Sequence, residues 1–138
     1  MKKAKKAISL LLIVVMAAAL LCSCGKEKDI AIETSVGTLR FPLQWADTLV
    51  TEEIEGDGET IIVFRAKVAD VSYDLFYVVV ADNGAANAIG TITGPDKVVR
   101  NVYIDCADID GQNGLNDEDR NTLYVMQEDV NYLLQNLK

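Results

Sequence analysis

Residues 73–81, Tyr-Asp-Leu-Phe-Tyr-Val-Val-Val-Ala, are apolar at nearly every position. An amphipathic helix alternates faces with a period of 3.6 and a solvated strand with a period of 2, and this run does neither. Its length and its branched and aromatic residues predict a central β-strand, or one covered on both sides. Around it lie further strand signals. Ile30 to Phe41 reads as a hairpin turning at Val36-Gly37, with Leu39 and Phe41 on one face and Thr38 and Arg40 on the other. Ile62, Phe64, Ala66 and Val68 share one face of a strand over 60–69, with Arg65 and Lys67 opposite. Gly56-Asp57-Gly58, Asp82-Asn83-Gly84 and Gly94-Pro95-Asp96 mark turns, and 88–93 and 98–106 complete the strand set.

Helical spacing occurs twice. Pro42 suits a first helical position, and Leu43, Ala46, Leu49 and Val50 follow at near-helical intervals, so a short helix is expected near 42–50, with Trp45 packed beside it. From about Asp117, Leu123, Met126, Val130, Leu133, Leu134 and Leu137 form one apolar stripe. The expected fold is α+β, a mainly antiparallel sheet with the C-terminal amphipathic helix packed on it.

The chain opens on Lys2, Lys3, Lys5 and Lys6, followed by an uncharged apolar run from Ala7 to Leu21. A positive segment followed by such a run is the pattern of an export signal, and the run is shorter than the ~20 apolar residues of a comfortable membrane span. Leu21-Cys22-Ser23-Cys24 places a branched residue three before a cysteine and a small one immediately before it. This resembles the lipobox of bacterial lipoproteins. The resemblance implies a diacylglycerol thioether on Cys24, cleavage after Ser23 and a membrane location on the extracytoplasmic face. Cys22 is the rival acceptor, but bulky Leu21 precedes it; an ordinary secretory signal without lipid is the plainer alternative. The expected organisation is a signal peptide at 1–23, a short tether at 24–29 and one domain at 30–138. A five-residue tether reaches at most ~17 Å, which keeps the domain close to the membrane.

The chain carries 13 basic and 21 acidic residues. With the four signal lysines gone, nine basic residues face the 21 acidic ones, a net charge of about −12. Such a charge repels phosphates, which argues against nucleic-acid partners and leaves membrane attachment to the lipid. Histidine is absent, removing the usual general base and the commonest transition-metal ligand. Only Cys106 remains as a free thiol once Cys24 is acylated and Cys22 removed, so no internal disulfide is expected.

Two stretches carry further resemblances. Gly37-Thr-Leu-Arg-Phe-Pro42 leading to Trp45, and Asn121-Thr-Leu-Tyr-Val-Met-Gln-Glu-Asp-Val-Asn-Tyr132, are similar to small uncharacterised lipoproteins of Gram-positive gut bacteria. That similarity supports the compartment and adds no chemistry. The strand, Phe-Pro and Trp-containing turn also resemble the opening of PsbP-like domains, which implies a non-catalytic adaptor or assembly role.

Few side chains point to chemistry. Cys106 shares a strand phase with Val102 and Ile104 and is expected to be a buried structural cysteine rather than a nucleophile. Trp45, Tyr73, Tyr77 and Tyr103 suit core or cross-strand packing better than ligand stacking. The acidic stretch 105–119 can be read as a calcium loop, with Asp108, Asp110, Gln112, Asn116 and Asp119 at positions 1, 3, 5, 9 and 12. Asn113 stands where that motif wants Gly, and the same residues read more simply as a helix start, with Asn116 as N-cap and Asp119 at N3. The functional expectation is a lipid-anchored, non-catalytic module for a protein or cell-wall partner. A calcium-stabilised module is the first alternative and a carboxylate-based enzyme the second.

Overall fold

In a computed structural model of the chain, residues 28–82 and 87–137 are described. The expected signal peptide, the lipid acceptor Cys24 with its rival Cys22, and most of the tether lie outside them, as does part of the turn at 82–84. The described residues form β1 (Asp29–Thr34), β2 (Gly37–Pro42), β3 (Leu49–Glu55), β4 (Glu59–Val68), β5 (Val71–Ala81), β6 (Gly90–Thr93), β7 (Val99–Cys106), α1 (Asp117–Glu128) and α2 (Val130–Gln135). All strand pairs are antiparallel. Strands β1 and β2 form a separate hairpin, and the other five form a sheet in the order β3-β4-β5-β7-β6. The expected α+β architecture is the observed one, with the C-terminal helices packed on the sheet.

Strand β5 sits at the centre of the sheet, as its double-sided apolarity predicts. The hairpin and both helices lie on one face, which we call the inner face. There Phe41, Phe64 and Phe76 meet with ring centroids 4.6 to 6.0 Å apart, all fully buried. Leu123, Met126 and Leu133 complete this core from the helices, and Val130, Leu134 and Leu137 pack against it half-buried. The apolar stripe read from the sequence is therefore the docking surface of the helices. Gly37, at φ 143°, lets the hairpin close on β6: a Cβ there would meet Ile92 at 2.5 Å.

Two features differ from expectation. The helix expected near 42–50 is a single 3-10 turn, Leu43–Trp45, and Leu49 and Val50 instead open strand β3. Residues 48–51 are Thr-Leu-Val-Thr, mostly branched, and a ladder to β4 offers their backbone more bonds than another isolated helical turn. Second, β4 and β5 change register between Phe64 and Arg65: Phe64 faces Phe76, Arg65 faces Asp74, and Leu75 is the extra residue of a β-bulge. The Leu75 carbonyl leaves the ladder and accepts from Ala107 N at 3.0 Å and from Gln127 Nε2 at 2.8 Å. Gln127 Nε2 also donates to Ala107 O at 2.9 Å, so one amide ties α1 to the bulge and to the end of β7.

Candidate functional site

Residues of the sheet alternate between two environments, and the register identifies those on the outer face, opposite the helices. Val50, Glu52 and Ile54 on β3 meet Arg65, Val63 and Ile61 on β4. Val63 and Ile61 face Tyr77 and Val79 on β5, which in turn face Asp105 and Tyr103 on β7. An antiparallel sheet with one solvated face normally alternates apolar-in, polar-out. Here the outer face has an apolar centre, in which Val63 is buried and Ile61, Tyr77, Val79 and Tyr103 are half-buried. Ile54 is 44 % and Val99 60 % exposed at its two sides.

Charge surrounds this centre. Arg65 donates from Nη1 to Glu52 at 2.6 Å and from Nε to Asp74 at 2.8 Å. The Tyr77 hydroxyl donates to the other Asp74 oxygen at 2.7 Å. Desolvation alone would raise the Asp74 pKa, but the bonds from Tyr77 and Arg65 outweigh it and leave it below the ordinary value. Bonding to that carboxylate raises the Tyr77 pKa, and bonds to Glu52 and Asp74 raise that of Arg65. The group is thus a fixed, ionised network at one end of the face. Glu59 and Asp105 add exposed carboxylates elsewhere on it.

The aromatic candidates divide. Tyr73 is buried in the core, and the Trp45 indole donates from Nε1 to Asp129 at 2.6 Å, at the break between α1 and α2. Tyr77 and Tyr103 share the outer face. Cys106 corrects an expectation: it is an exposed free cysteine. It keeps the phase of Val102 and Ile104 but stands last in β7, beyond the covered part of the inner face. Local desolvation, and then the Asp105 carboxylate, push its thiol pKa up, so it is a poor nucleophile at neutral pH.

The five residues of the calcium-loop reading each have their own contacts. Asn116 caps α1, its side chain accepting from Asp119 N at 2.7 Å, and Asp117, Glu118 and Asp119 fill the first turn, where the helix dipole favours acids. Gln112 clamps the backbone of Asp74, accepting from its N at 2.9 Å and donating to its O at 2.8 Å. Asp108 accepts from Gly111 N, and Asp110 lies 3.5 Å from Arg120 Nε. The left-handed residue of the loop is Gly114, φ 88°, not Asn113. Among the described residues no group of three or more His, Cys, Asp or Glu side chains converges as a metal site.

Two networks were not read from the sequence, one because its partners are far apart in the chain and one because it closes around a turn. Asp29 accepts from Tyr132 Oη and Arg40 Nη1, both at 2.7 Å, joining the first strand to the last helix. Arg100 bonds Asp82 and Asp96, and holds Asp96 down to about 2. Comparison of the chain with protein-family models, with curated proteins and with solved structures found no match.

Proposed function

We propose that this chain is a lipid-anchored module of the extracytoplasmic membrane face, held through Cys24, that binds a protein partner on the outer face of its five-stranded sheet and catalyses no reaction. The anchoring rests on the lysine-rich start, the apolar run and the cysteine box of the sequence. The binding role rests on one observation: the apolar centre of the outer face, Ile61 to Tyr103 across three strands. That centre is buried at Val63 and half-buried elsewhere, and it opens to solvent at Val50, Ile54 and Val99; apolar surface of this kind, rimmed by polar groups, marks interaction sites.

Charge selects the partner. Carboxylates of Glu52, Glu59, Asp74 and Asp105 border the face, against Arg65, already engaged by two of them, and Lys67, which lies 3.9 Å from Asp70. A second copy of the chain would set like charges against each other. A protein surface with an apolar centre and cationic flanks gains in both respects.

The anchor and the surface are tested separately in the native host. Metabolic palmitate labelling is expected to be lost in Cys24→Ala; a persistent label would move the acceptor to Cys22. A photo-crosslinking residue at Ile54 or Val79 is expected to capture one protein through a Lys- or Arg-flanked peptide identified by mass spectrometry. The same probe at Val125, exposed on α1, is expected not to. Equal capture from Val125, or none from the sheet, overturns the assignment of the face.

A further inference from the structure

The sheet has two terminal strands, and they differ in what lies beside them. Strand β6 has four residues and is closed off by the hairpin, since Gly37 sits against Ile92 and Thr93. Strand β3 has seven residues, Leu49–Glu55, and pairs on one side with β4; no described strand pairs with its other side. An edge of that length presents a row of backbone donors and acceptors that another chain can complete.

We infer that β3 is a strand-acceptor edge, and that the partner proposed above docks by adding an extended, alternating basic and apolar segment to it. This rests on the reading of the outer face as a binding surface and specifies how it is reached. The side chains of β3 define what such a strand must carry. Val50 and Ile54, 37 % and 44 % exposed, lie on the outer face, so apolar residues of an added strand extend the apolar centre outward. Glu53 and Glu55 point to the other side, where Glu53 already accepts from the Ser35 amide at 3.1 Å and bonds its hydroxyl. Cationic residues of the added strand stand opposite these two.

The same acids exclude the obvious competitor. Two copies pairing antiparallel through β3 set Glu52 or Glu53 against itself, or Glu53 against Glu55, depending on register, and like charges directly opposite destabilise a strand pair. Edge carboxylates guard against self-association and become cross-strand ion pairs when the incoming strand is basic. One set of residues thus both opposes self-pairing and sets the preferred chemistry of the partner.

The probe is a synthetic Lys–Val alternating octapeptide, added to the full chain in detergent micelles at low salt. Amide hydrogen exchange is expected to slow in β3 and to remain unchanged in β6. The same peptide N-methylated at every residue keeps its charge and loses its ladder donors, and is expected to bind at least about tenfold more weakly. Glu55→Lys is expected to weaken the Lys–Val peptide roughly fivefold and to admit a Glu–Val one. Equal binding of the N-methylated peptide, or protection of Val79 and Tyr103 without β3, overturns strand addition while leaving the outer face as a docking surface. No binding of the Lys–Val peptide also overturns it, and the crosslinks from Ile54 and Val79 then decide whether the face itself survives.

Discussion

Replacing Gln127 by glutamate exchanges its amide NH2 for a single oxygen and removes both hydrogen-bond donors that tie α1 to the bulge. In the native chain Nε2 donates to the carbonyls of Leu75 and Ala107 at 2.8 and 2.9 Å. Each such bond contributes about 1 kcal/mol net, so Gln127→Ala is expected to cost about 2 kcal/mol, of which a few tenths return through alanine's helix propensity. Gln127→Glu loses the same bonds and aims a carboxylate at two carbonyl dipoles in a half-buried site. Its expected cost at pH 7 is therefore larger, roughly 3 to 4 kcal/mol. In a domain of this size these costs lower the melting temperature by about 8 °C and by about 12 to 16 °C.

The sign of the pH response separates this account from a general packing defect. Carbonyl oxygens and partial burial raise the pKa of the introduced carboxyl above its unfolded value, so the variant is favoured at low pH and loses stability as pH rises through the raised value. Protonated, the acid donates one hydrogen bond again. Melts of Gln127→Glu and wild type compared at pH 7 and pH 4.5 are expected to show the gap narrowing on acidification. A glutamate variant as stable as wild type at pH 7, or a gap that widens in acid, refutes the bridging role. Faster exchange of the Ala107 amide, which bonds the same Leu75 carbonyl, is the local signature.

Three further outcomes follow from other parts of the fold. Leu133 is fully buried beneath α2, so Leu133→Asp is expected to cost several kcal/mol, a large share of the stability of a domain; an unchanged melting temperature would detach the helix from the sheet. Asn116→Ala is expected to cost roughly 1 kcal/mol equally with millimolar calcium and with EDTA, because the cap acts on the Asp119 amide; stabilisation of wild type by calcium that is lost in Asp108→Ala would favour a metal loop instead. Desolvation tends to raise the Asp29 pKa, but the bonds from Tyr132 and Arg40 prevail and lower it, while that bond raises the Tyr132 pKa. The margin of wild type over Tyr132→Phe, about 1 kcal/mol after screening, is expected to be full near pH 7. It shrinks as pH falls through the lowered carboxyl pKa, and again as pH rises through the raised phenol pKa; urea titrations across that range measure it.

Periodicity made the larger elements legible. The hairpin, β4, β5 and the closing helices follow from where apolar residues recur, since burial on one face is what fixes those elements. Strand β3 was not legible, because Glu52, Glu53 and Glu55 interrupt the alternation at a sheet edge, where charge is tolerated and side-chain burial exerts little control over sequence. Cys106 illustrates a second limit. Its phase was readable, but how far along β7 the cover extends depends on where α1 crosses, and that is set by contacts such as Gln127 to Leu75, 52 positions apart. The Asp29–Tyr132 bond, 103 positions apart, lies beyond local pattern for the same reason.

The double-sided apolarity of 73–81 has a consequence of its own. A run apolar on both faces predicts cover on both, and the described elements supply it on one, where Phe76, Val78 and Val80 are buried under the hairpin and helices. On the other, Tyr77 and Val79 continue into Ile61, Val63 and Tyr103. Cross-strand packing accounts for the centre, where Val63 is buried against Tyr77, but not for Ile54 and Val99 at its sides, which are 44 % and 60 % exposed and where polar residues would leave the ladder intact. The net charge of −8 already counters self-association. The partner proposed above would supply a second layer over Val50, Ile54 and Val99, and the carboxylates bordering β3 and β7 would favour a cationic one.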